Sequence, residues 1–175
     1  HNEGETPEAR RALAREIFTI GDSAFRRAIE NSPEILFITS AGNADNDVNF
    51  DEFYPSSYDY PNVLTVGAVD ENGVVTYFSS PGPTADGRIK PEVVSRGLNN
   101  TVAHPNDDGA YLFASGTSFS CPLVSGVVAL MLERGPQLTP GQIVEALTAT
   151  CPHAGCFIEL EADGRCFRCP CHNST

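Results

Sequence analysis

The chain has 175 residues, 41% of them hydrophobic, and a formal net charge of −12. This length and composition are typical of one globular domain with a hydrophobic core. The excess of negative charge excludes nucleic acid and anionic membranes as partners unless basic residues gather on one face, and no such patch occurs in the sequence. No apolar run reaches the roughly 18 residues that a membrane span requires, so no membrane partner is predicted.

The amino terminus, His-Asn-Glu-Gly-Glu, has neither an initiating Met nor the pattern of a signal peptide. We therefore expect either a processed chain or a fragment of a longer protein. Apolar residues then recur at steps of three or four between Pro7 and Asn31, which predicts an amphipathic helix that ends before Pro33. Its predicted apolar face consists of Leu13, Ile17, Ile20, Ala24 and Ala28.

Two continuous apolar runs follow the helix, Ile35–Ile38 and Val63–Val69. Apolar runs without polar alternation are typical of strands that are covered on both faces of a parallel sheet. A shorter stretch, Val74–Phe78, predicts one more strand before a segment that is interrupted by two prolines and a glycine.

Two further helices are predicted in the second half of the chain. The segment Pro122–Arg134 is apolar on nearly every side, which predicts a buried helix. An amphipathic helix begins near Pro140, with Ile143, Val144 and Leu147 as candidate core residues. Helices that alternate with buried strands indicate an α/β layered domain.

Ser118 lies among small residues, in the segment 114–122 (Ala-Ser-Gly-Thr-Ser-Phe-Ser-Cys-Pro), directly before the apolar helix. At a helix N-terminus, free backbone N–H groups and the positive end of the helix dipole face an incoming oxygen. This environment suits a nucleophile whose reaction develops an oxyanion. It equally suits a serine or threonine that only caps the helix, so local features leave both interpretations open.

Four segments in chain order resemble motifs of the subtilase family of serine proteases. The segment 116–122 (Gly-Thr-Ser-Phe-Ser-Cys-Pro) resembles the nucleophile motif Gly-Thr-Ser-Met-Ala-x-Pro, and 40–43 (Ser-Ala-Gly-Asn) resembles the family's Ala-Ala-Gly-Asn segment. The other two lie within 54–69 and 78–94. Phe119 and Ser120 replace the commoner Met and Ala, and Arg96 stands where the family usually has Pro. None of these departures removes a catalytic group.

The resemblance implies a serine endopeptidase that acts on proteins or peptides, with Ser118 as the nucleophile and Asn43 as a donor to the oxyanion. It implies a three-layer subtilisin-like α/β fold with a central, mostly parallel sheet that is incomplete in this chain. It further implies a parent protein that is secreted or extracytoplasmic. Calcium is the one cofactor it suggests, as a structural ion.

The remaining members of the catalytic triad are not found in the sequence. In the family, the acid and the histidine precede the Asn segment, whereas His1 lies too close to it and lacks a following glycine, and His104 lies in a polar loop. We therefore expect a missing N-terminal half of the catalytic domain as a partner and little or no protease activity from the isolated chain. The alternative is an inactive remnant that binds peptides in the residual cleft.

The resemblance ends near Thr150, which predicts a family domain over 1–150 and a cysteine-rich tail of unclear origin over 151–175. The tail holds Cys151, Cys156, Cys166, Cys169 and Cys171. A zinc site, disulfides and a tail without selected function all stay open, and the last is favoured. The acidic residues of 45–51 resemble the start of a calcium loop, but the required Gly and closing Glu are absent, so no metal ligand is assigned.

Overall fold

The computed structural model of the chain describes residues 7–44, 56–84, 87–148, 159–160 and 167–168, with side chains from residue 19 to 148. The elements occur in the order α1 (Pro7–Glu30), β1 (Phe37–Ser40), β2 (Val63–Val69), β3 (Val93–Arg96), β4 (Asn100–Ala103), β5 (Tyr111–Ala114), α2 (Thr117–Arg134), α3 (Pro140–Thr148), β6 (Glu159–Leu160) and β7 (Phe167–Arg168).

A parallel sheet in the order β1-β2-β3 forms the centre of the described structure. Every residue of β2 is buried, as its uninterrupted apolar run predicts. β1 is only half-buried, because no strand pairs with its outer edge among the described residues. The predicted α/β fold with a parallel sheet is confirmed.

Helices cover both faces of this sheet. Val63 packs with Ile29 of α1, whereas Leu64 and Val66 pack with Val124 of α2. Because successive side chains of a strand point to opposite faces, α1 and α2 lie on opposite sides of β2. This arrangement gives the three layers that the sequence predicts.

α3 completes the core on the α2 side of the sheet. Ile143 is buried against Val128 and Leu138, and Val144 and Leu147 pack at the margin of the same region, as predicted. The helix begins at Pro140 because the residues around it form a reciprocal cap: Thr139 N donates to Gln142 Oε1 at 2.9 Å, and Gln142 N donates to Thr139 Oγ1 at 3.3 Å.

The predicted apolar face of α1 is wrong where its side chains are described. Ile20 is 64% exposed, and Ala24 and Ala28 are exposed as well. The residue that α1 buries is Ile29, which contacts Tyr58 and the start of β2. Among the described side chains of α1, Ile29 in the last turn is the one that packs against the sheet, and it lies outside the predicted apolar stripe. The side chains at positions 13 and 17 lie outside the described part.

Tyr58 ties α1 to the segment before β2. Its side chain is buried, its hydroxyl donates to Asp22 Oδ1 at 2.6 Å, and the Arg26 guanidinium lies 4.3 Å from its ring centroid. Burial alone would raise the pKa of Asp22, but hydrogen bonds from Arg26 and Tyr58 outweigh it, so the net pKa is lowered. Burial and the bond to Asp22 raise the pKa of Tyr58.

We expect Tyr58→Phe to lower the free energy of unfolding by about 1–2 kcal/mol, because it deletes a hydrogen bond to a carboxylate and keeps the ring. The folded-state pKa of Asp22 is depressed, so this contribution is complete above the unfolded value of about 3.9 and disappears as pH falls through the folded value. Urea denaturation at pH 7 and below pH 4 measures both effects. Tyr60→Phe is the control, because the Tyr60 hydroxyl bonds to Glu30 and Arg26 at the surface and not to Asp22, and an equal loss in both variants would contradict the assignment.

The predicted strand Val74–Phe78 is wrong. Only one antiparallel bridge forms there, between Val69 and Val75, and Val74 and Val75 are 61% and 59% exposed. Asp70 Oδ1 accepts the backbone N–H groups of Asn72 and Val74, at 2.8 and 2.9 Å. These bonds close the turn that brings Val75 opposite Val69. A second turn follows at once, in which Ser79 N donates to Thr76 O at 3.2 Å, and it ends the pairing after this one bridge.

α2 differs from its prediction in two respects. It begins at Thr117 rather than at Pro122, so the small residues before the apolar segment already form its first turn. It is also not buried on all sides by the described residues: Leu123, Val127 and Leu130 are 49%, 47% and 66% exposed. These three residues form one stripe on the side of α2 that faces away from the sheet.

The part of the chain that the structure describes contains neither a membrane-spanning helix nor a cluster of metal ligands. None of its helices combines the length and apolar character needed to cross a membrane. Nor do its His, Cys, Asp and Glu side chains gather in a group of three or more that could hold a metal ion.

Candidate active site

Asn43 follows the carboxyl end of β1, at the edge of the sheet where the sequence places it. Ala41 N still donates to Val66 O of β2 at 2.9 Å, and the chain then turns through Gly42. Gly42 has a φ of 103°, a conformation that favours glycine. The turn leaves the Asn43 side chain exposed beyond the end of the sheet.

The side chain of Asn43 caps the helix that carries Ser118. Its Oδ1 accepts two hydrogen bonds from Thr117, from the backbone N at 2.8 Å and from Oγ1 at 2.9 Å. The Thr117 hydroxyl also accepts the N–H of Gly42 at 3.2 Å. Gly116, the residue at the N-cap, has no side chain of its own to cap the helix. Residues that lie 74 positions apart therefore meet at the start of α2.

These bonds determine which end of the Asn43 amide remains as a donor. A backbone N–H can only donate, so the atom that faces Thr117 N must be the amide oxygen. The amide nitrogen Nδ2 then lies beside Gly116, 3.3 Å from the position that a Cβ on this glycine would occupy. Asn43 consequently presents its N–H groups next to the residue pair that precedes Ser118.

Close backbone packing holds the turn before the helix. Gly116 N donates to Gly97 O at 2.8 Å, and Gly97 N donates to Val69 O at 2.9 Å. A Cβ on Gly97 would lie 2.5 Å from Cβ of Ala68, which no side chain can accommodate without movement. The ends of β2 and β3 thereby fix the position of the residues that lead into α2.

Ser118 is the second residue of α2, and its side chain is exposed. The first N–H groups of a helix have no partner within it. Here Asn43 takes the N–H of Thr117, and the N–H of Phe119 donates to Gly116 O at 3.0 Å. Ser118 N–H has no partner within the described residues, so it remains a donor beside its own hydroxyl. No acidic side chain in the first turn offsets the positive end of the helix dipole.

We expect Thr117→Val to lower the free energy of unfolding by about 1–3 kcal/mol. The valine keeps the shape of this fully buried side chain but deletes the bond to Asn43 and leaves the Gly42 N–H without its acceptor. Thermal and urea denaturation measure the loss. Thr101→Val, on an exposed position of β4, should cost less than about 0.5 kcal/mol, and equal losses would contradict the network.

The described residues do not place a general base beside Ser118. His104 lies at the far end of the β4–β5 hairpin, where its Nδ1 accepts the N–H of Asn106 at 3.2 Å. The four residues of β5 separate it from the turn before α2, a distance of roughly 13 Å at 3.3 Å per residue. The other histidines, His1, His153 and His172, lie outside the described residues, as do the tail cysteines and the acidic loop 45–51.

A cleft of about 380 Å³ opens beside the first turns of α2. Its walls include Arg96, Phe119, Pro122, Leu123 and the segment 99–102. Phe119 is the lining residue that is adjacent to Ser118 in the chain.

Cys121 is not a competing nucleophile. Its Sγ lies 3.5 Å from Ile38 O, in a half-buried position on the sheet side of α2, and burial raises the pKa of the thiol. The thiol therefore stays protonated at neutral pH, and only thiolates attack carbonyl carbons efficiently.

The sequence alone did not indicate the role of Thr117 in holding Asn43. The one signal was its place inside the nucleophile motif, which is equally compatible with a simple helix cap. Its contacts with Gly42 and Asn43 connect distant parts of the chain, and no local pattern encodes them.

Comparison with known proteins identifies the family. The model of the subtilase family matches residues 4–164. The chain belongs to the subtilase family.

Individual subtilases are similar over much of the chain. Serine protease AprX of Bacillus subtilis is 33% identical over 142 residues, which cover 69% of this chain and 31% of the relative. A thermostable alkaline protease of Halalkalibacterium halodurans is 34% identical over 140 residues, which cover 78% of this chain and 35% of the relative. The chain thus spans about a third of the length of these two proteins.

Solved structures agree with the fold. A cold-adapted subtilisin-like serine proteinase superimposes with a TM-score of 0.59 at 30% identity, over 74% of this chain and 42% of that one. The prenylagaramide maturation protease PagA superimposes with a TM-score of 0.55 at 28% identity, over 86% of this chain and 47% of that one. The fold is therefore subtilisin-like and partial.

Proposed function

We propose that this chain supplies the nucleophile, Ser118, and an oxyanion donor, Asn43, to a serine endopeptidase. The observation that supports this most is the orientation of the Asn43 amide. Thr117 holds its oxygen at the start of the nucleophile helix, at 2.8 and 2.9 Å, and leaves its nitrogen to donate. The Asn43 nitrogen lies beside Gly116, two residues before Ser118, and is available to an oxygen that approaches the start of α2.

In this mechanism, Ser118 Oγ attacks the carbonyl carbon of the peptide bond while its proton passes to a general base. The carbonyl oxygen becomes an oxyanion, which accepts hydrogen bonds from the Ser118 N–H and from Asn43 Nδ2. Collapse of the tetrahedral intermediate expels the amine, which takes up the proton, and leaves an acyl-serine. Attack by water then releases the acid and regenerates the hydroxyl.

We further propose that the base and its orienting acid come from an upstream segment of the same protein that covers α2. The exposed stripe of Leu123, Val127 and Leu130 is an apolar surface that such a segment would bury. The cleft beside Phe119 is a second space on α2 that such a segment would fill. The outer edge of β1, which pairs with no strand among the described residues, gives the same segment a strand to join.

The second candidate function is peptide binding without hydrolysis. It is favoured by the lack of a base beside Ser118 in the described residues. In that case, the edge of β1 and the cleft would hold a peptide, but the serine would remain unreactive.

A casein hydrolysis assay with the longest natural protein that contains this chain distinguishes the two functions. We expect cleavage that a fluorophosphonate, a reagent for activated serines, abolishes in proportion to its incorporation. The isolated chain should cleave little or nothing, because the base is missing. Tight peptide binding with no cleavage and no incorporation would contradict the enzymatic function and support the binding module. Cleavage that survives full incorporation would contradict the serine mechanism.

We also propose that the parent protein is secreted or extracytoplasmic, as the family resemblance implies. Fractionation of the producing cells should recover the protein from the medium or the envelope. Recovery from the cytoplasm alone would contradict this.

A further inference from the structure

We propose that Ser80 is a positioning residue for the reaction, because its buried side chain holds the turn that carries Asn43. This inference rests on the proposed role of Asn43 as oxyanion donor. Ser80 lies more than thirty residues after Asn43 in the chain, in the segment that crosses the carboxyl end of the sheet.

Both neighbours of Asn43 are bonded to Ser80. Ser80 N donates to Gly42 O at 3.0 Å, and Ala44 N donates to Ser80 Oγ at 3.2 Å. Ser80 is completely buried, so its side of both bonds is shielded from water. The backbone on each side of Asn43 is therefore attached to one rigid point below the turn.

The turn needs this attachment because of its glycine. Gly42 has a φ of 103° and no Cβ to restrict rotation, so it would act as a hinge. A Cβ on Gly42 would lie 3.2 Å from Ser80 Oγ, which shows how closely the serine is placed against the turn. The Ser80 side chain occupies the space below the hinge and limits its movement.

Two separate anchors then define the position of the Asn43 nitrogen. Thr117 holds the side-chain oxygen, and Ser80 holds the backbone from which the side chain extends. Donors to an oxyanion must lie within a few tenths of an ångström of the right place, so a shift of the turn weakens transition-state binding more than substrate binding. Ser80 thus acts only through Asn43.

Ser79 provides a matched control. It is also buried, at 4% exposure, and its Oγ also accepts a backbone N–H, from Ala68 of β2 at 3.0 Å. This bond holds the end of β2 and makes no contact with the Asn43 turn. Ser79→Ala therefore deletes the same kind of bond in the same segment.

The test is a double-mutant cycle of Ser80 and Asn43 in the longest natural protein that contains this chain. The substrate is a peptide p-nitroanilide. We expect Ser80→Ala to lower kcat about tenfold with KM changed less than about twofold. Ser79→Ala should leave kcat within about twofold of wild type. When Asn43 is already Ala, adding Ser80→Ala should change kcat less than about twofold, because the group that Ser80 positions is gone.

Three results would overturn the inference: equal kcat for the two single serine variants, a full tenfold effect of Ser80→Ala without Asn43, or a loss that falls on KM. If Asn43→Ala keeps wild-type kcat, the proposed oxyanion role fails instead, and the role of Ser80 fails with it.

Ser80→Cys keeps a weaker acceptor of similar size and should give an intermediate kcat if Ser80→Ala does not fold. Hydrogen exchange at the Ala44 amide should accelerate in Ser80→Ala and not in Ser79→Ala.

Discussion

Ser118→Ala is expected to reduce peptide hydrolysis by about 10⁶-fold, the scale that removal of the nucleophile has in subtilisin. The methyl group cannot form the acyl intermediate, so only transition-state binding by the remaining donors persists. The variant should fold like wild type, because the Ser118 side chain is exposed and no described residue bonds to it. Initial rates on a peptide p-nitroanilide, together with thermal denaturation, measure both expectations.

Ser125→Ala is the control for this loss. It removes a hydroxyl from the same helix, one that donates to Cys121 O at 3.2 Å, and should leave kcat unchanged. Hydrolysis that persists in Ser118→Ala, or that disappears equally in Ser125→Ala, would exclude Ser118 as the nucleophile.

Asn43→Ala is expected to lower kcat by about 10²–10³-fold with little change in KM, the scale that the corresponding donor has in subtilisin. The same change should lower the free energy of unfolding by about 1 kcal/mol, because Asn43 Oδ1 caps the N–H of Thr117. Because Asn43→Ala lowers both activity and stability, this variant alone does not distinguish the role of Asn43 as an oxyanion donor from its role as a helix cap.

Asn43→Asp separates the two roles. The carboxylate keeps an oxygen for Thr117 and adds a favourable charge at the helix N-terminus, so stability should be retained or raised. It has no N–H to donate, and its charge repels an oxyanion, so kcat should fall at least as far as in Asn43→Ala. Wild-type turnover in Asn43→Asp would show that Asn43 only caps the helix.

The sequence predicts the core of the fold because strands that are buried in a parallel sheet appear in it as uninterrupted apolar runs. β2 is the clearest example. The stretch Val74–Phe78 has a similar apolar character, but a turn between Thr76 and Ser79 ends its pairing after one bridge. The full burial predicted for α2 is not reached because burial depends on what packs against the helix, and one face has no partner among the described residues.

The sequence predicts Ser118 and Asn43 as the principal residues of the candidate site, but it does not predict the residues that hold them in place. Ser118 and Asn43 each lie in a recognisable local motif, at a helix start and at a strand end. Thr117 bonds to Asn43, which lies 74 positions away, and Ser80 bonds to Ala44, which lies 36 positions away. Contacts at that separation arise only when the sheet and α2 assemble.

The most direct test of Ser118 as the nucleophile is the location of the adduct after reaction with a fluorophosphonate. The longest natural protein that contains this chain is labelled, digested and examined by tandem mass spectrometry. We expect one phosphonyl group, on Ser118, and a slower reaction in Asn43→Asp. An adduct on another residue, or none from a protein that hydrolyses peptides, would contradict it.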